Sequence, residues 1–139
     1  MKAKISIVTL LLLISCIIPS LSQEIRRNVF RLPETVSGYQ VLKCDFHLHT
    51  VFSDGTVWPA VRVEEAFAEG LDVIAITDHV EYRPRIKEMG AKDNEVSYNA
   101  PYNLAKDVAR KYGIILIPGA EITKEVPPGH FCALFIKDA

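Results

Sequence analysis

The run Leu71-Asp72-Val73-Ile74-Ala75-Ile76-Thr77 constrains this chain more than any other stretch. It is near-continuously apolar, so a strand made from it needs cover on both faces, as in a parallel sheet. Segments of helical period stand on either side. From about Val57 to Glu69, apolar residues recur at Ala60, Val63, Ala66 and Phe67, with Thr56 placed to cap the start and Gly70 to end it. A second helix is expected from about Tyr98 to Tyr112, ending at Gly113, with Pro101 in the first turn where proline is tolerated. Further strands are expected at Tyr39 to His49, Ile114 to Ile117 and His130 to Ile136, and a charged loop from about Val80 to Val96. Strand–helix alternation of this kind predicts right-handed βαβ units. The expected fold class is α/β, with the first three strands adjacent and parallel and the helices packed on one side.

The chain has 139 residues, room for one domain, and its beginning stands apart from that domain. Lys2 and Lys4 precede an almost unbroken aliphatic stretch from Ile5 to Ile18, and Ser20 and Ser22 are small residues placed for cleavage after Ser22. Residues 1–22 therefore read as a signal peptide for export to the periplasm or the extracellular space, without a lasting transmembrane anchor. A lipoprotein anchored through Cys16 competes, because Leu13-Ile14-Ser15-Cys16 has the form of a lipobox. Residues 23–38 are polar and aperiodic, a leader arm, and residues 39–139 form the domain. A net charge of −1 offers no basic field for nucleic acid. Cys44 and Cys132 are expected as buried free thiols in different layers, and the strand aromatics as core.

The four histidines stand in chemically similar company. His47 and His49 share a strand face, so their rings converge on one point, and Asp54 follows five residues later. His79 follows Asp78, and His130 follows Pro128-Gly129. Imidazole and carboxylate gathered at strand ends suit a borderline divalent metal such as Zn, Mn or Fe. Every such residue except His130, which opens a strand, lies at or just past a strand's C-terminal end, the rim where α/β folds build their sites. Arg83, Arg85, Lys87 and Lys92 are expected as a solvated loop, with an anion-receiving rim as the alternative. No Ser-His-Asp arrangement is legible.

The blocks Asp45-Phe46-His47-Leu48-His49-Thr50 with Ser53-Asp54-Gly55, then Ile76-Thr77-Asp78-His79, then Pro118-Gly119-Ala120-Glu121-Ile122-Thr123 resemble the first three motifs of the PHP (polymerase and histidinol phosphatase) superfamily. Val57-Trp58-Pro59, residues 78–84 and Pro127-Pro128-Gly129-His130-Phe131 are similar to its exported phosphodiesterase-like branch. The resemblance implies a distorted (β/α)7 barrel with two or three divalent metals at its C-terminal rim. His47 and His49 would hold one metal, Glu121 would bridge it to a second bound by His130, and Asp54 and His79 would hold a third. Asp45 and Asp78 would orient imidazoles.

The resemblance further implies a metal-dependent phosphoesterase, with diesters the expected class, a metal-activated water as nucleophile and a small-molecule phosphate ester as substrate. Members of the superfamily continue with more strands and ligands, whereas this chain ends at Lys137-Asp138-Ala139. A partial barrel of three to four strands, an N-terminal half, is thus expected. A catalytically inactive metal-binding remnant is the rival reading, and the oligomeric state is unassigned.

Overall fold

The structure, a computed structural model, describes residues 24–125 and 129–137. The expected signal peptide and Cys16 lie outside the described residues.

The arm is not structureless throughout. Strands β1 (Thr35–Val36) and β2 (Tyr39–Gln40) form an antiparallel hairpin. Its two-residue turn, Ser37-Gly38, has positive φ at both positions (52° and 82°), the backbone that matches the twist of paired strands. The hairpin takes Tyr39 away from the strand expected over Tyr39 to His49, which shrinks to β3 (Cys44–Leu48). Upstream, the Asn28 N–H donates to the Ala68 carbonyl at 2.9 Å. Arg27 donates to the carbonyls of Gly70 and Leu71 and pairs with Asp72, so the arm is stapled to the end of the following helix.

That helix, α1, spans Pro59–Glu69. It begins two residues later than its apolar period suggested, because Pro59 lacks an N–H and takes the first helical position, leaving Thr56 outside as no cap. Gly70 ends it in the left-handed conformation, as expected. Strand β4 (Val73–Ile76) follows, buried at every position. The loop beyond contains the short helix α2 (Arg85–Glu88) and a turn of 3-10 helix at Asp93–Glu95. Helix α3 (Ala100–Tyr112) carries Pro101 in its first turn and ends at Gly113.

Strand β5 (Ile115–Ile122) is twice the expected length, and β6 (Phe131–Leu134) is the last described element. The sheet order is β3-β4-β5-β6. The first three strands are adjacent and parallel, which agrees with the βαβ argument. The fourth runs antiparallel to the second half of β5, since the connection between them, residues 123–130, is too short for the crossover a parallel neighbour needs. β5 therefore changes partner: Ile115–Pro118 lie against β4, and Gly119–Ile122 against β6.

Helices α1 and α3 cover one face. Val63 and Ala66 of α1, Ala105 and Ala109 of α3, and Ile74 and Ile76 of β4 make one buried cluster. On the opposite face Val73, Ala75 and Ile117 form a smaller cluster with Leu134. The sheet curls about this second face as a half-barrel, a mixed α/β architecture consistent with a partial (β/α) barrel.

The thiols are free, as expected, but Cys44 is exposed and Cys132 only half-buried. Phe46 and Phe131 are likewise 40% and 45% exposed instead of core. All four lie on β3 and β6, the outermost strands of the sheet, which have neighbours on one side alone among the described residues.

Candidate metal centre

Glu121 is the penultimate residue of β5, at a strand's C-terminal end as expected, although that strand runs further than its apolar run suggested. Its neighbours are fixed by both flanking chains: His79 forms a parallel bridge to it, and Cys132 of β6 is its antiparallel partner. The side chain is buried at 1% exposure. Four imidazoles surround its carboxylate. His47 Nε2 lies 2.9 Å and His49 Nε2 2.7 Å from Oε2, His130 Nδ1 lies 2.7 Å from Oε1, and His79 Nδ1 lies 3.5 Å from Oε2. Burial pushes this carboxyl up. The hydrogen bond from His47, the charge of His79 and the hydrogen bonds from His130 and His49 outweigh burial and hold it below the usual range.

His47 and His49 converge as their spacing required, with their Nε2 atoms 3.1 Å apart. His49 is shared, because its Nδ1 lies 2.7 Å from Asp54 Oδ1 while its Nε2 faces Glu121. Asp54 also faces His79, whose Nε2 is 3.5 Å from Oδ2. Burial raises the Asp54 carboxyl too, but the hydrogen bond and charge of His49 and the charge of His79 leave it below its ordinary value.

The turn carrying Asp54 is hung from Asp78. The Thr50 N–H and hydroxyl and the Ser53 hydroxyl donate to that buried carboxylate at 2.7, 2.6 and 2.6 Å. Gly55 closes the turn, and a Cβ there would sit 2.6 Å from the His49 carbonyl carbon and the Thr50 nitrogen. Asp78 thus braces a loop, and Asp45 accepts the His47 backbone N–H at 3.0 Å. Neither carboxylate orients an imidazole ring, which corrects the roles that the resemblance implied for them.

Arg83 is neither solvated nor an anion receiver. Its buried guanidinium donates to the Val96 carbonyl at 3.0 and 3.1 Å and packs 4.4 Å from the Tyr98 ring centroid. Arg85 pairs with Glu88 and Lys92 with Glu95, each within its own short helix or turn. Two residues escaped the sequence reading. Arg62 of α1 reaches the His49 carbonyl, and Thr123 Oγ1 lies 2.6 Å from His79 Nδ1. Arg62 had a legible signal: it falls at helical spacing between buried Pro59 and buried Ala66, on a face otherwise given to the core. Thr123 had none beyond its place after Glu121.

The six expected residues fall into three overlapping groups whose donor atoms lie within 4.8 Å of one another: His47, His49 and Glu121; His49, Asp54 and His79; His79, Glu121 and His130. The donors are imidazole nitrogens and carboxylates held ionised, the set that borderline divalent ions accept. Nitrogens packed 3.1 Å apart against one carboxylate oxygen place several lone pairs around a single point, where a cation fits.

Residues 45–136 match the PHP domain family. The chain belongs to that family. In the solved structures it is similar to a two-domain protein from Bacteroides vulgatus that contains a predicted PHP-like metal-dependent phosphoesterase. The TM-score is 0.74 at 49% identity, covering 81% of this chain and 31% of that one. An uncharacterized protein of Methanocaldococcus jannaschii is 39% identical over 89 residues, 63% of this chain and 36% of that protein. A 5′-3′ exoribonuclease of Haemophilus influenzae is 32% identical over 81 residues, 58% of this chain and 23% of the enzyme. This PHP chain thus spans between about a quarter and a third of the length of these relatives.

Proposed function

We propose that the PHP chain supplies ligands to the metal centre of an exported phosphodiesterase acting on a small-molecule phosphate diester. The observation that carries this reading is the buried, ionised Glu121 carboxylate ringed by His47, His49, His79 and His130. Two or three ions, Mn, Zn or Fe, would be held by His47 and His49 with Glu121, by Glu121 with His130, and by Asp54 with His79. When bound, divalent ions acidify water near neutral pH and take up charge on phosphoryl oxygens. The chain's own part is to hold nitrogen and oxygen donors in place before any ligand arrives. The two hydroxyls of the loop before Asp54 are committed elsewhere: Ser53 and Thr50 are fully buried and donate to Asp78, so neither is free to attack phosphorus. Lys2 and Lys4, the aliphatic stretch and the Ser20/Ser22 pair support export.

RNA is the second reading, favoured by the likeness to the Haemophilus influenzae 5′-3′ exoribonuclease, whereas the near-neutral charge of this chain speaks against it. The test compares a chromogenic phosphodiester, the matching monoester and a 5′-labelled RNA, each with Mn²⁺ or Zn²⁺. It uses the chain itself and a chimera extended by the remainder of the Bacteroides vulgatus protein. Diester cleavage is expected from the chimera, with little or none from the chain alone, and His47→Ala should abolish it. Exclusive RNA degradation would move the assignment to the second reading, and an inert chimera that still binds metal would refute the enzyme reading.

A further inference from the structure

Tyr82 stands beside the metal centre yet takes no part in the core. Its ring centroid lies 6.0 Å from that of His79, with the two planes 71° apart, and the residue is 53% exposed. A half-exposed aromatic ring is ordinary on a protein surface, but the backbone beneath this one is unusually well tied. The Val80 N–H donates to the Glu121 carbonyl at 2.9 Å, and the Glu81 carboxylate accepts the Thr123 N–H at 2.8 Å. On the other side, buried Arg83 donates to the Val96 carbonyl at 3.0 and 3.1 Å. Residues 80–83 are thus fastened to β5 and to the far end of their own loop, while the ring among them stays open to solvent. A tyrosine on a fixed backbone has only its two side-chain torsions to lose when a ligand packs on it, so the entropic cost of using it is small.

We infer that Tyr82 is a specificity residue that touches the substrate: its ring stacks on an aromatic group, aryl or nucleobase, carried by a phosphate diester whose phosphoryl oxygens lie at the metal centre. Such an ester places its ring a few bonds from phosphorus, the reach needed to pass from the donor groups that contain His79 to the ring beside them. A dialkyl ester offers no π-face and gains nothing there. The inference rests on the phosphodiesterase reading for the class of ligand, but its test reads binding and needs no turnover.

The full chain and the Bacteroides vulgatus chimera, each in saturating Zn²⁺, are titrated by calorimetry with diphenyl phosphate, a dinucleoside monophosphate and dimethyl phosphate. At least one ring-bearing diester should bind about 10-fold or more tighter than dimethyl phosphate, the scale of one stacked ring, and the one preferred names the group that Tyr82 selects. Tyr82→Phe keeps the face and should keep the preference. Tyr82→Leu should bring it close to parity without weakening dimethyl phosphate, and its exposed position makes the leucine tolerable to the fold. Tyr39→Leu, which removes another exposed ring in the hairpin, should change nothing. A preference that survives Tyr82→Leu, or that falls equally in Tyr39→Leu, overturns the inference. Proteins that bind zinc but no ring-bearing diester overturn it alone, and proteins that bind no zinc overturn it together with the metal reading. A Tyr82-dependent preference in a chimera that cleaves none of the three diesters would refute the phosphodiesterase reading and leave the role of Tyr82 standing.

Discussion

Arg62 Nε and Nη2 both donate to the carbonyl oxygen of His49, at 3.2 and 3.0 Å, while Nη1 pairs with Glu65 at 2.8 Å. Helix α1 thereby reaches across to the backbone of a residue whose ring faces two carboxylates. Arg62→Met keeps the apolar stem and removes the fork. The expected cost is about 1–3 kcal/mol in urea unfolding, as for other hydrogen bonds from charged donors. Mn²⁺ binding should weaken in parallel. Arg62→Lys should recover only part, because one ammonium cannot reproduce two parallel N–H donors. Full recovery by lysine would show that charge alone matters.

Asp78→Asn leaves the shape of the loop brace but replaces an oxygen acceptor with an amide donor opposite Thr50 and Ser53. Even if the Thr50 hydroxyl turns to accept from the amide, three hydrogen bonds to a carboxylate become neutral ones in a buried setting, so a destabilisation of about 1–3 kcal/mol is expected. Because the same loop carries Asp54, Asp54→Asn and Asp78→Asn should be non-additive in their effect on metal affinity. Strict additivity in the double variant would separate the two.

Gly55→Ala tests a contact with backbone that cannot swing aside. A Cβ at this position would lie 2.6–2.7 Å from three backbone atoms of His49 and Thr50. The turn must open, at a cost of roughly 1–3 kcal/mol for overpacking, and Asp54 moves with it. Thermal unfolding should show the loss. An alanine variant as stable and as metal-competent as the parent would contradict the described path of this turn.

Asp72 gives a pH dependence far from the histidines. Burial raises its carboxyl, but the Lys43 backbone N–H, the Lys43 ammonium and Arg27 outweigh this and hold it below its ordinary value of 3.8. A carboxyl depressed on folding contributes stability that is full above the unfolded value and is lost as pH falls through the folded one. Asp72→Asn should therefore be less stable than the parent by about 0.5–1 kcal/mol near neutrality, as befits a part-exposed pair. The gap should narrow below pH 3.8, and paired urea curves across that range measure it. A gap that widens on acidification would reverse the sign of the argument.

The sequence made the sheet legible wherever burial is two-sided. Val73–Ile76 is apolar because helices cover one of its faces and the curled interior the other, and no local feature competes with that pattern. The convergence of His47 and His49 was legible for the same reason, since period two is a property of any strand. Element ends were not. Ser37-Gly38 favours a local turn over continued extension, Pro59 delays α1, and the partner change along β5 depends on β6, which period alone does not reveal. The bracing groups were misread because a carboxylate beside a histidine in sequence suggests a partner for the ring. In space Asp78 turns instead toward Thr50 and Ser53, 28 and 25 residues away.

The partner change of β5 has a consequence for how quickly an ion can be captured. Glu121 is clamped from one side by the bridge to His79 and from the other by Cys132, so its backbone is ordered by pairings that involve no ligand. The conformational entropy of the central donor is spent when the chain folds, not when a cation arrives. Shedding water from the incoming ion then becomes the slow part of loading. On that footing, association should follow each metal's own rate of water exchange more closely than any rearrangement of the sheet.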